Sequence, residues 1–226
     1  MGICYIQNKE IKTINLPENI LEATKLINKE IPRNSTIIPL TENSVLACGY
    51  ANKYNKYKGI SWETARNCTD RISQRMILHN STVNPKWEVD SKLEFPFVMR
   101  TPTSREGKGV RLIKNHSELY LTLKEITYNT KDLVERLNSV YPIYYDFVAE
   151  EFCFGNNVEI NGFCFDNKIQ FLNFPTSDIQ ISEEFIVGIC KMFGFNNCGF
   201  NIELIGPPWK IIEVHGYSKI DFMDKL

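Results

Sequence analysis

Over the first third of the chain, short apolar runs alternate with stretches of helical spacing, a pattern that predicts a β/α layer rather than a bundle or a sandwich. Residues 3–6 (ICYI) read as a strand, and Pro17 opens a helix with Leu21, Ala23, Leu26 and Ile27 as its apolar positions. Thr36 to Leu40 reads as the next strand. Thr41 and Ser44 provide a weak cap for a helix through Val45, Leu46 and Tyr50. After Gly59, Ser61-Trp62-Glu63-Thr64 starts another helix, expected to run to about Leu78. Residues 79–91 (HNSTVNPKWEVDS) are polar and turn-rich and read as a linker. The domain boundary is expected there or slightly before it, with an N-terminal layer over 1–65 and a larger domain over 66–226.

Beyond the linker the order changes. Residues 95–100 (FPFVMR) and 110–113 (VRLI) read as strands joined by the loop 101–109 (TPTSREGKG). Ser117 to Thr127 reads as a helix capped by Asn115 or Ser117, with Leu119, Leu121, Leu123 and Ile126 apolar. Residues 147–152 and 158–166 alternate as half-buried strands do, and Asp166-Asn167 before KIQFLNF predicts a hairpin. Ser182 caps a helix to about Phe193. GFNIELI and WKIIEVHG, separated by Gly206-Pro207-Pro208, form a last hairpin.

Composition narrows the classes. With 226 residues, 43% hydrophobic and 23% charged, the chain has the balance of a globular protein, and disorder is excluded. A formal net charge of -1 gives no field to attract nucleic acid or an anionic membrane. The basic run Lys53-Tyr54-Asn55-Lys56-Tyr57-Lys58 is too short for a nucleic-acid footprint and reads as a solvated helix end. The N-terminus turns polar after Ile6, and no run approaches the ~18 apolar residues of a membrane span, so a cytoplasmic protein that is neither exported nor membrane-spanning is expected. Gly2 suggests N-myristoylation, but Ile6 stands where that motif wants Ser or Thr. Sequons at Asn34, Asn67, Asn80 and Asn115 are what an Asn-rich chain produces by chance. The seven cysteines form no CxxC pair and read as reduced thiols.

Several charged residues sit where core packing has no use for them. Glu203 and Glu213 lie on the two arms of the last predicted hairpin. Facing each other they would repel unless a cation sat between them; pointing from an open sheet face they would simply be solvated. The loop containing Ser104, Gly107, Lys108 and Gly109 connects strands, so it is no P-loop or Rossmann turn. Its glycines let backbone N–H groups approach an anion and Lys108 adds charge, although a flexible hairpin tip has the same composition. Arg100 ends an apolar strand and needs an anionic partner, for which phosphate suits guanidinium. Glu150-Glu151-Phe152-Cys153 ends another strand just before Gly155, either as an edge strand protected by charge or as a crossover able to present backbone groups to a purine ring. No Ser-His or Cys-His nucleophile is visible, and His79 and His116 read as surface residues.

Taken in order, FPFVMRTPTSREGKGVRLIKNHSEL, VAEEFCFGNNVEINGFCFDNKIQFL and GFNIELIGPPWKIIEVHG resemble the strand and flexible loop, inter-lobe hinge, and metal-binding hairpin of the ATP-grasp superfamily. The upstream stretch 38–85 is similar to the segment before the grasp in its carboxylate-amine ligase branch, so the resemblance covers roughly residues 36 to 217. It implies an α/β chain, α+β within the grasp lobes: an ATP-grasp fold with a short N-terminal β/α layer, a lobe with the flexible loop over about 93–146, and a hinge and metal-binding lobe over 147–226.

The resemblance also implies an ATP- and Mg²⁺-dependent ligase in which a carboxylate becomes an acyl phosphate and an amine displaces the phosphate. Small-molecule carboxylate and amine substrates are the partners it implies. At matched positions, Arg71 and Arg100 stand where the family usually has lysines on the nucleotide phosphates, and the loop 103–109 would close over the β- and γ-phosphates, with Lys108 and Arg100 as the catalytic cations. Glu150 would meet the adenine amino group, and the backbone of Glu151 and Cys153 the ring edge. Glu159 or Asn157 would meet ribose. Glu203 and Glu213, with His215 beside them, would hold Mg²⁺. The family's closing motif is Glu-x-Asn-x-Arg, whereas this chain has Glu213-Val214-His215-Gly216-Tyr217. These replacements, with both lysines exchanged for arginine, support a second reading: a grasp scaffold that binds nucleotide or a partner without turnover. The nearness of that motif to Leu226 adds the expectation of a homodimer in which a second copy completes the acceptor site.

Overall fold

The computed structural model describes residues 2–8, 10–55, 57–90, 92–103, 109–129, 140, 144–175 and 181–220. The chain forms two units. The first takes residues 1–69, 158–204 and 213–226; the second takes 70–157 and 205–212.

In the first unit, β1 (Gly2–Gln7) pairs antiparallel with β2 (Glu10–Asn15) and with β3 (Thr36–Pro39), and β3 runs parallel to β4 (Lys58–Gly59), giving the order β2-β1-β3-β4. β2 was not foreseen from the sequence. Most of its residues are exposed, so EIKTIN offers no apolar face to detect. Helix α1 (Ile20–Glu30) begins at Asn19, whose side chain accepts from the N–H groups of Leu21 and Glu22 at 3.0 and 3.1 Å. Its buried face is Ile20, Ala23, Thr24 and Ile27. Helix α2 (Glu42–Asn55) is buried from Ser44 to Gly49 without a break, which is why its sequence shows little amphipathic period. Gly49 sits against α3 (Trp62–Thr69): a Cβ there would lie 2.5 Å from the Cβ of Ala65.

The single helix expected from Ser61 to Leu78 is two. Asp70 stops it: its carboxylate accepts from the Ile72 N–H at 3.0 Å and from the Ser73 hydroxyl at 2.9 Å, capping a new helix, α4 (Arg71–Ile77). The chain passes from the first unit to the second at this break.

The second unit holds a sheet in the order β5-β8-β6-β7, made of β5 (Trp87–Glu88), β6 (Phe97–Arg100), β7 (Arg111–Ile113) and β8 (Val148–Glu151), antiparallel throughout. Helix α5 (His116–Asn129) covers it, with Leu119, Leu123 and Ile126 against Phe97, Met99, Ile113 and Ala149. Asn115 is its cap: its side chain accepts from the Glu118 N–H at 3.0 Å, while Glu118 reaches back to the Lys114 N–H at 2.8 Å. The expected linker 79–91 contains β5.

The remaining sheet has the order β10-β9-β11-β12, from β9 (Asn156–Phe165), β10 (Lys168–Asn173), β11 (Cys198–Gly206) and β12 (Lys210–His215). Asp166 and Asn167 turn the first hairpin with φ of 47° and 63°, the double left-handed turn that short hairpins favour. Helix α6 (Glu183–Phe193) is capped by Ser182, as expected, and ends at Gly194. Cys4, Ile38 and Phe163 join the N-terminal sheet to β9 within the first unit. All seven cysteines are thiols; burial pushes up those of Cys48, Cys68, Cys190 and Cys198. Among the described residues no helix is long and apolar enough to cross a membrane.

Candidate functional site

Each unit carries its own cluster of charge. In the second, register places Glu150 on β8 opposite Val98 of β6 and Trp87 of β5, with its carboxylate buried. Arg75, on α4 and fully buried, donates from Nε to Glu150 Oε1 at 2.5 Å, and from its two terminal nitrogens to the carbonyls of Ile211 at 2.7 Å and Ile212 at 2.8 Å. Arg100, at the end of β6, brings its Nε to 3.0 Å from Glu150 Oε2, and its side chain is 11% exposed. Burial alone would raise the Glu150 carboxyl, but Arg75, Arg100 and Arg71 outweigh that and hold it below the ordinary carboxylate range. Two guanidinium groups thus meet one carboxylate in this pair of contacts. The Arg75 N–H groups are absorbed by protein oxygens, and Arg100 is the cation with a path to solvent.

Arg71 is buried on the same helix face as Arg75, one turn before it, and donates to Gln74 Oε1 at 3.1 Å. Arg75 was missed at the sequence level, although its i, i+4 spacing from Arg71 was a signal. Two arginines stacked on one face repel unless anions lie nearby. Glu150 acquires a role the sequence reading did not include, as counter-ion to these arginines.

Beyond Arg100 the chain enters the glycine-bearing loop. Gly109 closes it with φ 76°. Ser104, Gly107 and Lys108 lie outside the described residues. At the end of β8, the Glu151 N–H donates to Lys86 O at 2.8 Å and the Glu151 carboxylate lies 3.4 Å from Lys210 Nζ. Cys153 is half-buried, its thiol raised chiefly by burial and next by Glu151. Phe152 and Phe154 pack edge to face at 4.4 Å between centroids, and Phe154 is 70% exposed, an apolar surface on which a flat ring could rest. Asn157 is exposed at the start of β9.

The first unit brings together Glu203 from β11 and Glu213 and His215 from β12. The His215 Nε2 lies 3.4 Å from Glu203 Oε1 and 3.2 Å from Glu213 Oε1. The imidazole is buried, with Tyr217 packed edge-on at 5.3 Å. Two further residues complete the cluster, and neither was singled out in the sequence. Glu42, at the start of α2, has a carboxylate oxygen that lies, with one of Glu213 and a nitrogen of His215, in a group spanning no more than 4.8 Å. Lys219 places Nζ 2.6 Å from Glu203 Oε1 and 2.9 Å from Glu159 Oε1.

Electrostatics follow from these contacts. Burial would raise the Glu203 carboxyl, but His215 and Lys219 push it down to about 2. Burial would lower Lys219, but Glu203 and Glu159 raise it above its usual value. Tyr217 is pushed up to about 12 by burial and then by Glu42. Three carboxylates and an imidazole in one neighbourhood are a donor set for a divalent cation. Glu42, Glu213 and His215 each place one donor atom within 4.8 Å of the others, while Glu203 has an ammonium partner in Lys219.

No protein-family model matches the sequence, and no curated protein matches it. Solved structures do match in shape. L-amino acid ligase from Bacillus licheniformis superposes with TM-score 0.64 at 17% identity, over 90% of this chain and 55% of that one. The biotin carboxylase of Campylobacter jejuni, solved as a complex with ATP, gives 0.65 at 12%, over 90% and 53%. The N5-carboxyaminoimidazole synthetase of Staphylococcus aureus, complexed with ADP, gives 0.64 at 15%, over 91% and 59%. The chain therefore has the ATP-grasp fold, preceded by a short N-terminal β/α layer. It spans a little over half the length of these neighbours.

Proposed function

We propose that the chain binds ATP with a divalent cation and serves a carboxylate-amine ligase reaction. The observation that carries this reading is the convergence of Glu203 and Glu213 on one nitrogen of His215, with Glu42 alongside, in a chain of ATP-grasp fold. Carboxylates drawn from α2, β11 and β12 into one neighbourhood are costly without counter-cations; Lys219 meets Glu203, and a divalent ion would serve Glu42 and Glu213.

In this reading Glu42, Glu213 and His215 hold the metal, with Glu203 beside them. The ion would neutralise phosphate charge. Arg100 donates to the phosphate oxygens with Arg71 as a second cation, and Arg75 is a positioning residue that locks Glu150 and the carbonyls of Ile211 and Ile212. Lys108 and the amides of Ser104, Gly107 and Gly109 supply further donors to the phosphates. Phe154 gives the base an apolar face, Cys153 and Glu151 read its edge through the backbone, and Asn157 or Glu159 meets ribose. A substrate carboxylate oxygen attacks the γ-phosphorus, the bond to the β,γ-bridging oxygen breaks, and ADP leaves. The amine then attacks the acyl carbon and expels phosphate, losing a proton to solvent or a base. Such transfers rest on positioning and electrostatic stabilisation, so the lack of a Ser-His pair is consistent with them.

Calorimetry of ATP binding with Mg²⁺ and with excess chelator tests the proposal. Mg²⁺-dependent binding, lost in Glu213→Gln and Arg100→Met, is the expected result; no binding of either form refutes it. One observation favours a second reading, nucleotide binding without turnover. Lys219 already neutralises Glu203, and Tyr217 stands where the family carries arginine. Binding without ADP release over a panel of acids and amines would establish that reading instead.

A further inference from the structure

One face of the β6–β8 pair carries charge and the other carries the core. Val98 lies opposite Glu150 and Arg100 opposite Val148, so these four share a face, while Phe97, Met99 and Ala149 alternate with them and pack under α5. Arg100 and Glu150 are diagonal neighbours on the charged face, a separation that a long side chain spans. The Arg100 Nε is buried and lies 3.0 Å from Glu150 Oε2. The other carboxylate oxygen, Oε1, accepts from Arg75 Nε at 2.5 Å, and Arg75 is itself tied to the carbonyls of Ile211 and Ile212. Glu150 is therefore gripped at both oxygens, with 2% of the residue exposed.

A guanidinium group is a rigid planar fork, so holding its Nε side fixes the plane in which the two terminal nitrogens lie. A carboxylate clamped from behind by Arg75 is a firm stop for that side of Arg100. It is also a poor reader of a base. An exocyclic amino group would have to compete with two guanidinium groups for a carboxylate that is almost wholly buried, and charge-assisted contacts are the stronger ones. We propose that Glu150 is a positioning residue: it holds Arg100 at Nε so that the terminal nitrogens face the polyphosphate of a nucleoside triphosphate, and its carboxylate does not select the base. This rests on the nucleotide reading given above and deepens it. At Glu150 the site recognises the triphosphate, through Arg100, and is indifferent to the 6-amino group of the purine.

Calorimetry on the intact chain with ATP, with ITP (a 6-oxo group in place of the 6-amino) and with inorganic tripolyphosphate tests this. Glu150→Gln keeps the shape of the side chain and removes its charge. It should weaken all three by about tenfold, the scale of one charge-assisted hydrogen bond, and leave the ATP-to-ITP preference of the native chain unchanged. Collapse of that preference with tripolyphosphate unaffected would mean that Glu150 reads the base, and overturns the proposal. Unchanged or tighter tripolyphosphate binding overturns it too, because a carboxylate that merely competed with phosphate would bring relief on removal. Glu150→Gln can also destabilise the unit, so the native chain supplies a second measurement that a purely structural role would not move. In ¹⁵N NMR of the arginine side chains, with Arg100 assigned by its absence in Arg100→Met, tripolyphosphate should shift the terminal nitrogens and leave Nε in place. An Nε shift as large as theirs would show that phosphate has displaced Glu150, and the positioning role would fall. A native chain that binds neither ATP nor tripolyphosphate refutes the nucleotide reading and this inference together; one that binds both but fails either readout refutes this inference alone.

Discussion

Replacing Arg75 with methionine keeps most of the buried stem and removes the guanidinium. Three bonds go with it: to Glu150 Oε1 at 2.5 Å and to the carbonyls of Ile211 and Ile212 at 2.7 and 2.8 Å. Glu150 keeps Arg100 at 3.0 Å but loses its fully buried partner. Removing one member of a buried pair costs about 3 to 5 kcal/mol, and each carbonyl left without a donor adds about 1 kcal/mol. A loss of roughly 5 kcal/mol is comparable with the whole stability of many domains. With a urea slope of about 2 kcal/mol/M, the midpoint should fall by about 2.5 M at unchanged slope. Tryptophan fluorescence is a suitable probe, because Trp87 and Trp209 both belong to the second unit. Glu150→Gln in the same background should recover part of the loss, since the stranded charge is then gone. A midpoint shift below about 0.5 M, or no recovery in the double variant, would refute the claim that this buried pair organises the unit.

Other outcomes follow from single contacts. Because Glu150 is held below its ordinary value of 4.5, its contribution is complete above that pH and is lost as pH falls through the lower folded value. Urea midpoints measured from neutral pH into acid should therefore drop less steeply in Glu150→Gln than in the native chain, and parallel curves would count against it. Gly49→Ala places a Cβ 2.5 Å from that of Ala65 and should cost about 1 to 3 kcal/mol, read as a lower thermal midpoint; an unchanged midpoint would show that α2 and α3 separate easily. Phe154→Ala should weaken ATP binding by about tenfold through lost ring contact, with stability nearly unchanged because the residue is 70% exposed. Equal affinity in calorimetry would move the base elsewhere.

The fold was legible where local chemistry is self-contained. Ser182 as a cap, Asp166-Asn167 as a turn and the last hairpin need only their neighbours in sequence, and all appear as expected. Asp70 defeated the helix expected over 61–78 because a carboxylate that satisfies the next turn's N–H competes with a continuous ladder, and apolar spacing is blind to that choice. The candidate site divides the same way. Glu203, Glu213 and His215 share one hairpin and could be grouped from the sequence. Lys219 and Glu42 join them only through tertiary placement, from a segment after β12 and from the first turn of α2. Arg100 was foreseen as a cation in need of an anion, but its actual partner, Glu150, was assigned to the base because a strand sequence does not tell which neighbour it will pair with.

The chain changes unit after residues 69, 157, 204 and 212, so neither unit is a continuous stretch of polypeptide. During synthesis the opening segment leaves the ribosome with Cys4 and Ile38 exposed and must wait for Phe163 before that surface is covered. A nascent chain stalled before that point would carry an unfinished apolar face and be a natural client for chaperones. A single proteolytic nick at any of the crossings leaves at least one other peptide connection between the units, so excising either one as a folded fragment would take several cuts.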